Sequence, residues 1–444
     1  MKFNNSKLIH LINTIALCAV SFSFPLGRKV TTPLLIFWVL SEIVLLVSSR
    51  KKVKILFLKK NLPYLVLIFY FLLHIIWLPF TSDIYSSLSD IEKKVSFLIF
   101  PILFALKKQN LYNADVVLNF FLYGCLIAVS ISFSIAVYNS TSLIDGTLSF
   151  NPIIGEKANL RGYSFLKSVN YGGNYFFGSI ISPFLHTTYY SMQLCFACVI
   201  IFFKTNWSGK NYKIIFPVVC VVIFSTVIFL LGSRAGVLTY MTLSVVFSIY
   251  TLITSRGKSR YAIVAVTILL TSLFINSPRF DFMIKKFNSL DFNIKENPTE
   301  SLDLRLAVWG SSIELIKDNW IIGYGPGNER GELKEKYREK GFDYAAENTL
   351  NAHNQFLQEL LSFGVIGFIF LISFIISPIF LKNKLAQLML TALIIVFFVN
   401  SLFETVFGVF SGIIFFVFFY CLLINHSQAL QNLKCTSHEN IDAC

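Results

Sequence analysis

"TLNAHNQFLQELLSFGVIGFIFL", residues 349–371, joins a polar half carrying His353 and Asn354 to an apolar half suited to entering a membrane. The apolar half is typical of the whole chain, in which 55% of the 444 residues are hydrophobic, 14% are charged and 47 are Phe. The mean hydropathy is +0.66. Such a composition has too few polar side chains to cover a soluble globule. The sequence therefore predicts an all-α integral membrane protein.

Apolar stretches long enough, or nearly so, to cross about 30 Å of hydrocarbon recur along the chain. About twelve transmembrane helices are predicted, at residues 8–25, 33–48, 62–80, 95–106, 114–138, 186–203, 214–232, 236–254, 261–275, 361–381, 385–401 and 406–424. The fourth and ninth stretches are short for a span. Spans 1–5 therefore fall in residues 1–138, spans 6–9 in 186–275 and spans 10–12 in 361–424.

Lys and Arg residues in the short loops predict the orientation, because basic loops stay in the cytoplasm. With the N-terminus inside, the cytoplasmic loops are all basic and lie at 50–60, 107–108, 204–213, 255–260 and 382–384. Residues 425–444 then form a cytoplasmic tail, whereas 139–185 and 276–360 lie outside. This topology, with attraction to anionic membrane lipids, explains most of the net charge of +14. Because no nucleic-acid-binding motif occurs, no nucleic-acid partner is predicted.

The two external segments contain none of the eight cysteines of the chain. A disulfide therefore cannot join these segments, and a cysteine-rich metal site cannot form in them. Clustered acidic residues with the spacing of metal ligands are not evident there either. The sequence predicts neither a metal nor a cofactor.

The larger external segment, 276–360, is predicted to be helical from Asn297, a typical N-cap that is followed by proline. Apolar residues then recur every three or four positions and predict a stripe resting on the membrane or on other spans, at Leu302, Leu306, Trp309, Ile313, Ile316 and Trp320. Arg305 flanks this stripe, where the phosphate of a lipid headgroup would lie. "IIGYGPGNER" (321–330) ends the helix and predicts a tight turn, because it lacks the Lys-Ser/Thr ending of a phosphate-binding P-loop.

Two other charged or titratable residues stand out by their position. Arg234, in "LLGSRAG" (230–236), lies in a short turn between two spans at the outer face, against the positive-inside bias. It is either a functional charge or an arginine that extends to the interface. His353 falls on a helical stripe with neighbouring leucines, where a histidine is either a packed residue or a base near neutral pH. Among the other histidines, only His186 shares the outer face.

One arginine and four stretches of sequence stand out together. They are Arg234 at the end of a span, "RLAVWGSSIELIKDNWIIGYGPGN" (305–328), "AHNQFLQELLSFGVIGF" (352–368), "FLHTTYYSMQL" (184–194) and "NSLFETVFG" (400–408). Together they resemble the superfamily of bacterial O-antigen ligases, O-antigen polymerases and related O-oligosaccharyltransferases. The resemblance covers about residues 184–424, while the first five spans agree only in number and hydrophobicity.

The resemblance implies a GT-C-like, mostly helical membrane fold with an external helical subdomain between the ninth and tenth spans. It also implies transfer of a glycan from an undecaprenyl pyrophosphate carrier at the periplasmic face of the bacterial inner membrane. Arg234 and Arg305 are then expected to hold the pyrophosphate, because arginine donates to phosphate oxygens and stays charged. His353 is expected to act as the general base for the acceptor hydroxyl, with Asn354 orienting the substrate. Further candidates for substrate contact are Arg161, His186, Tyr190 and Glu404.

Several functions remain open at this point. A ligase would transfer the glycan to lipid A-core, a polymerase would join repeat units to each other, and a protein-directed transferase would use Ser or Thr. A transporter of lipid-linked sugar is a more distant alternative. It usually has repeated halves and charges at mid-membrane, whereas here the halves differ and the charges collect at one face.

Overall fold

The computed structural model describes residues 5–48, 61–106, 113–144, 146–154, 162, 164–171, 173–207, 211–254, 261, 264–265, 267–268, 271–272, 298 and 303–437. Helices dominate these residues, and ten of the described helices are long and apolar enough to cross a membrane. The prediction of an all-α polytopic membrane protein is therefore confirmed.

The first helices of the chain are α1 (Asn5–Ser23), α2 (Arg28–Ser48), α3 (Leu62–Trp77), α4 (Ile84–Lys94), α5 (Ser96–Leu106) and α6 (Ala114–Ser140). They are followed by α7 (Phe165–Tyr171), α8 (Thr187–Lys204), α9 (Asn211–Leu230) and α10 (Arg234–Thr254). The remaining helices are α11 (Asp303–Asp318), α12 (Asn328–Glu339), α13 (Asp343–Glu347), α14 (Gln355–Ile376), α15 (Lys384–Ser401) and α16 (Phe410–Ser437).

Two of the twelve predicted spans are not among these ten helices. The predicted fourth span, 95–106, is the helix α5, which has only 11 residues and contains Pro101. The predicted ninth span, 261–275, lies largely outside the described residues. The first predicted external segment contains α7 and a small antiparallel hairpin of β1 (Thr141–Ile144) and β2 (Thr147–Phe150).

The chain forms two compact units, one from residues 1–16, 36–114 and 290–444, and one from 17–35 and 115–289. The first unit is built around α16, which is buried along most of its apolar length. Trp38 is fully buried there, with its ring 5.6 Å from Phe100, 5.6 Å from Phe104 and 5.9 Å from Phe418. The tilted and edge-to-face angles of these pairs are the arrangements that aromatic rings prefer.

The second unit is built around α8, which packs against α9 and α10 and is also mostly buried. Close approach of its helices depends on glycine. A Cβ at Gly124 of α6 would overlap the carbonyl oxygen of Phe22, and a Cβ at Gly236 of α10 would overlap the side chain of Ser191. Small residues at such crossings allow helix backbones to approach closely inside a membrane.

Residues 303–354, here called the helical subdomain, belong to the first unit and contain α11, α12 and α13. Their apolar core consists of Ala307, Val308, Leu315, Leu333, Tyr337, Phe342, Ala345, Ala346 and Ala352, with Leu361 of α14. The packed face of α11 therefore carries small residues, with Ser311 and Ser312 also buried. The predicted stripe only borders this core, because Trp309 and Ile316 pack against its edge while Ile313 and Trp320 are exposed.

The predicted tight turn at 321–330 is confirmed, with positive φ at Gly323, Gly325 and Gly327. This turn places Asn328 against the residues just after α3. Asn328 Oδ1 accepts hydrogen bonds from the backbone N–H groups of Ser82 (2.9 Å) and Asp83 (3.2 Å). The turn therefore attaches the helical subdomain to the start of α4.

A buried charge cluster strengthens this attachment. Arg330 donates to Asp90 Oδ1 at 2.6 Å, and Glu329 Oε1 accepts from Gln358 Nε2 at 3.0 Å. Burial raises the pKa of Asp90, but Lys94 and the other nearby cations outweigh it and hold that pKa below its ordinary value. Burial, with repulsion from Asp90, raises the pKa of Glu329 to about 7.

Glu329→Gln should reduce the dependence of stability on pH between about 4.5 and about 7. The pKa of Glu329 is raised in the folded state, so its stabilising contribution is present below the ordinary value of 4.5 and is lost as pH rises through about 7. A glutamine stays neutral across this window, whereas Asp90, with its lowered pKa, acts at more acidic pH. Thermal unfolding in detergent across this pH range measures the effect. Glu335→Gln, on the exposed side of α12, is the control, and equal pH profiles for Glu329→Gln and the native protein would contradict the prediction.

Candidate active site

His353 lies immediately before α14 and has a left-handed backbone conformation, with φ of +44°. Its N–H donates to Asn351 Oδ1 at 2.9 Å. Asn354 then caps α14, because its Oδ1 accepts from Phe356 N (2.9 Å) and Leu357 N (3.2 Å). The predicted helical stripe through His353 is therefore wrong, since the helix begins two residues later. A positive φ at a non-glycine residue is unfavourable and is often found at functional sites.

Glu404 joins two of the predicted catalytic residues. It lies in the short connection between α15 and α16, and its Oε1 accepts from Arg305 Nη2 at 3.2 Å. Its other oxygen, Oε2, lies 3.4 Å from His353 Nδ1. The side chains of Arg305, Glu404 and His353 are 21%, 16% and 31% exposed, so all three are partly accessible. Three segments distant in sequence therefore converge on one cluster of a cation, a carboxylate and an imidazole.

The contact with Glu404 determines which nitrogen of His353 carries the proton. An ionised carboxylate only accepts hydrogen bonds, so a hydrogen bond between the two side chains requires the tautomer with the proton on Nδ1. In the neutral imidazole Nε2 then has a free lone pair. A carboxylate that orients a histidine in this way also stabilises the imidazolium formed when the histidine takes a proton. The cluster therefore has the chemical parts of a general base with its orienting group.

The connection between α15 and α16, which carries Glu404, is hydrogen-bonded to Asn354 and Gln355 at the start of α14. Asn354 Nδ2 donates to the carbonyl oxygen of Leu402 at 3.2 Å. Gln355 Oε1 accepts from the N–H of Phe407 at 2.7 Å. Because these bonds lie on either side of Glu404, they restrict the position of its carboxylate relative to His353.

Behind this connection, Gln355 belongs to a second, fully enclosed network. Gln355 Nε2 donates to Glu359 Oε1 at 2.7 Å, and the hydroxyl of Tyr70 donates to the same oxygen at 2.5 Å. All three side chains are buried. Buried polar groups with several partners hold one geometry, because losing any partner leaves another group unsatisfied.

Comparisons with known proteins relate this geometry to a family. The family model described as O-antigen ligase matches residues 219–372, which include Arg234, Arg305 and His353. Residues 219–372 are therefore similar to the O-antigen ligase family. The chain is also 30% identical over 186 residues to an uncharacterized protein of Haemophilus influenzae, over 39% of this chain and 45% of that protein. The chain thus spans less than half the length of that relative.

Not all the predicted site residues lie in the first unit. Arg234 belongs to the second unit, where it is half-buried as the first residue of α10. In the same unit His186 is exposed and caps α8 through its Nδ1, which accepts from Thr188 N at 3.4 Å. Tyr190, one turn further, is fully buried and has no exposed surface. Arg161 lies outside the described residues.

A metal site is not found in the part of the chain that the structure describes. There, no group of three or more His, Cys, Asp or Glu side chains could hold a metal ion. The side chains of Cys18, Cys125, Cys195, Cys198, Cys220 and Cys421 are buried.

Sequence reasoning named Arg305, His353, Asn354 and Glu404 but missed the residues behind them. Glu359 could have been found, because an ionisable residue in the first turns of an apolar span is a functional candidate by default. Gln355 and Tyr70 carry no comparable signal. Tyr70 is separated from Glu359 by 289 positions in the sequence, so no local pattern connects the two.

Gln355→Leu should lower the rate of a reaction that uses His353 and Glu404 by roughly 10- to 100-fold, the loss that removal of an orienting partner causes at metal sites. Leucine has a similar size but cannot accept from Phe407 N, so the connection with Glu404 loses one of its two attachments. Turnover and substrate affinity are measured separately on the purified protein in vesicles, and the loss should appear in the turnover. Gln387→Ala on α15 is a control outside the network. Unchanged turnover in Gln355→Leu would mean that the connection does not need this bond.

Proposed function

We propose that this protein transfers a glycan from a lipid pyrophosphate, with undecaprenyl pyrophosphate as the expected carrier, to an acceptor hydroxyl. The observation that carries the proposal is the contact of Glu404 with both Arg305 and His353, beside an apolar span and largely within the region that matches the O-antigen ligase family. A base, a carboxylate and an arginine at the start of a span suit a reaction between a lipid-bound donor and a hydroxyl. Lipid A-core is the expected acceptor.

The proposed reaction begins with the acceptor hydroxyl hydrogen-bonded to Nε2 of His353. The hydroxyl proton moves to Nε2 while the hydroxyl oxygen forms a bond to the anomeric carbon of the donor sugar. The bond between that carbon and the pyrophosphate oxygen breaks, and its electron pair leaves with the pyrophosphate. Glu404 stabilises the imidazolium through Nδ1, and Arg305 stabilises the negative charge that develops on the leaving group.

Arg305 is paired with Glu404 through its Nη2. A pyrophosphate offers Arg305 several charged oxygens in a geometry that suits its planar guanidinium group. We therefore propose that Arg305 keeps its contact with Glu404 as the donor binds, and that it turns to the leaving group as the proton reaches His353. Arg234 remains a predicted second ligand of the pyrophosphate, and His186 and Arg161 remain predicted substrate contacts.

His353→Ala should reduce transfer by about 10² to 10⁴ without loss of donor binding, because general-base assistance contributes about this much to a rate. Arg305→Ala and Arg234→Ala should weaken donor binding as well as transfer. Vesicles that contain the purified protein, a lipid-pyrophosphate-linked glycan and lipid A-core allow both quantities to be measured. His10→Ala, a histidine of α1, is the matched control. Full transfer by His353→Ala would overturn the proposed base.

Deletion of the gene in its host tests which transfer the protein performs. Bare lipid A-core, with long polymer kept on undecaprenyl pyrophosphate, is the result expected for a ligase. Core capped by a single repeat unit would instead identify a polymerase of repeat units. Unchanged core would direct attention to protein acceptors, to other polysaccharides or to transport of lipid-linked sugar. Flux of that sugar across vesicles without any glycosyl transfer would support the transporter.

A further inference from the structure

The segment that follows α11 is hydrogen-bonded to α14 at a break in that helix. The break lies at Gly364, which has φ of +59° and ψ of −150°. Val365 N donates to the carbonyl oxygen of Trp320 at 2.9 Å, in place of the Leu361 carbonyl that a continuous helix would supply. That carbonyl accepts instead from Tyr324 N at 2.7 Å.

Glycine on both sides allows the two backbones to meet. A Cβ at Gly323 would lie 2.7 Å from both Gly364 N and Leu361 O, and a Cβ at Gly364 would overlap the Ile321 carbonyl. The carbonyl oxygen of Gly323 is also satisfied, because it accepts from Asn319 Nδ2 at 2.6 Å. Residues 320–325 are therefore fixed to α14 through their backbone and not through their larger side chains.

The break lies inside the apolar part of a span. The helix α14 and the 3₁₀ turn after it form one candidate span, Gln355–Phe380, and residues 360–380 of it carry no ionisable side chain. At 1.5 Å per residue this uncharged run is about 30 Å long, which is about the thickness of the hydrocarbon core. Residues 361–365 then lie within about 8 Å of one edge of the hydrocarbon. The residues bonded to them must lie at the same depth.

Large apolar side chains of this segment point away from the protein. Ile313, Trp320, Ile321 and Ile322 are 45%, 56%, 52% and 54% exposed. The charged residues Lys317 and Asp318, one turn earlier on α11, are exposed as well and mark where water begins. Ile369, one turn further along α14 than the break, is exposed on the span itself. The span therefore also exposes an apolar side chain near this depth.

We infer that Trp320, Ile321 and Ile322 form a lipid-inserted anchor, which holds the helical subdomain in the acyl region of the adjoining leaflet. The partner is the bilayer and not a protein, because these side chains lie at the depth of an apolar span. Backbone groups of Trp320, Gly323 and Tyr324 are paired within the protein, as peptide groups at that depth require. Tryptophan near the edge of the hydrocarbon is typical of membrane interfaces. This inference does not rest on the proposed function.

Quenching of tryptophan fluorescence by brominated phosphatidylcholine tests the anchor on the full-length protein in vesicles. The fluorescence component that Trp320→Phe removes should be quenched strongly by bromine on the upper acyl carbons and weakly by aqueous iodide. The component that Trp309→Phe removes is the matched control on the same helix. Because Trp309 is half-buried against the subdomain core, this component should lose much less of its intensity to bromine.

Two results would overturn the inference. Quenching of the Trp320 component by iodide and not by bromine would place the side chain in water. Quenching by neither agent would mean that protein covers it, from a second copy or from another part of the chain. A second variant, Ile321→Ser with Ile322→Ser, leaves the tryptophan in place. It should reduce the bromine quenching of Trp320, and unchanged quenching in this variant would count against a role for the two isoleucines.

Discussion

A peptide group inside hydrocarbon has no water to bond with, so its partner must come from the protein. The helix α14 meets this requirement at its break, where the freed Leu361 carbonyl and Val365 N–H bond to Tyr324 and Trp320. The consequence is that the span and the helical subdomain form one continuous hydrogen-bonded structure. The subdomain cannot move along the membrane normal without breaking bonds that would be costly to leave unsatisfied. Arg305, on α11, and His353, just before α14, are therefore held at a defined depth.

The same helix positions the third member of the site. Glu404 lies on a connection between two spans, where a side chain would ordinarily be free to move. Asn354 and Gln355 bond to the backbone of this connection on either side of Glu404. The network behind them is buried and includes an acid, so its geometry is sensitive to the loss of any one partner. The position of Glu404 relative to the imidazole of His353 thus depends on buried residues behind the site.

Some of these features could be predicted from the sequence and others could not. Spans depend on local length and hydropathy, and the turn at 321–330 depends on glycines, so both could be predicted from short windows. The packed face of α11 could not be predicted in this way. Ala307 and Ser311 are buried because their small side chains allow close packing, whereas hydrophobic periodicity emphasises large residues such as Trp309. The backbone of His353 depends on Asn351 and on the cap at Asn354. The partners of Glu404, Gln355 and Glu359 come from distant segments and leave no periodic pattern. Positions were therefore predictable, but contacts were not.

A carboxylate beside the proposed site for pyrophosphate would ordinarily oppose binding of the anion. Under the proposed reaction, Arg305 balances the charge of Glu404 before the proton moves. As the proton reaches His353, the new imidazolium takes over the pairing with Glu404. The guanidinium, which stays charged throughout, can then turn fully to the leaving group. One carboxylate thus balances a different cation before and after proton transfer, and at neither stage is its charge left unpaired.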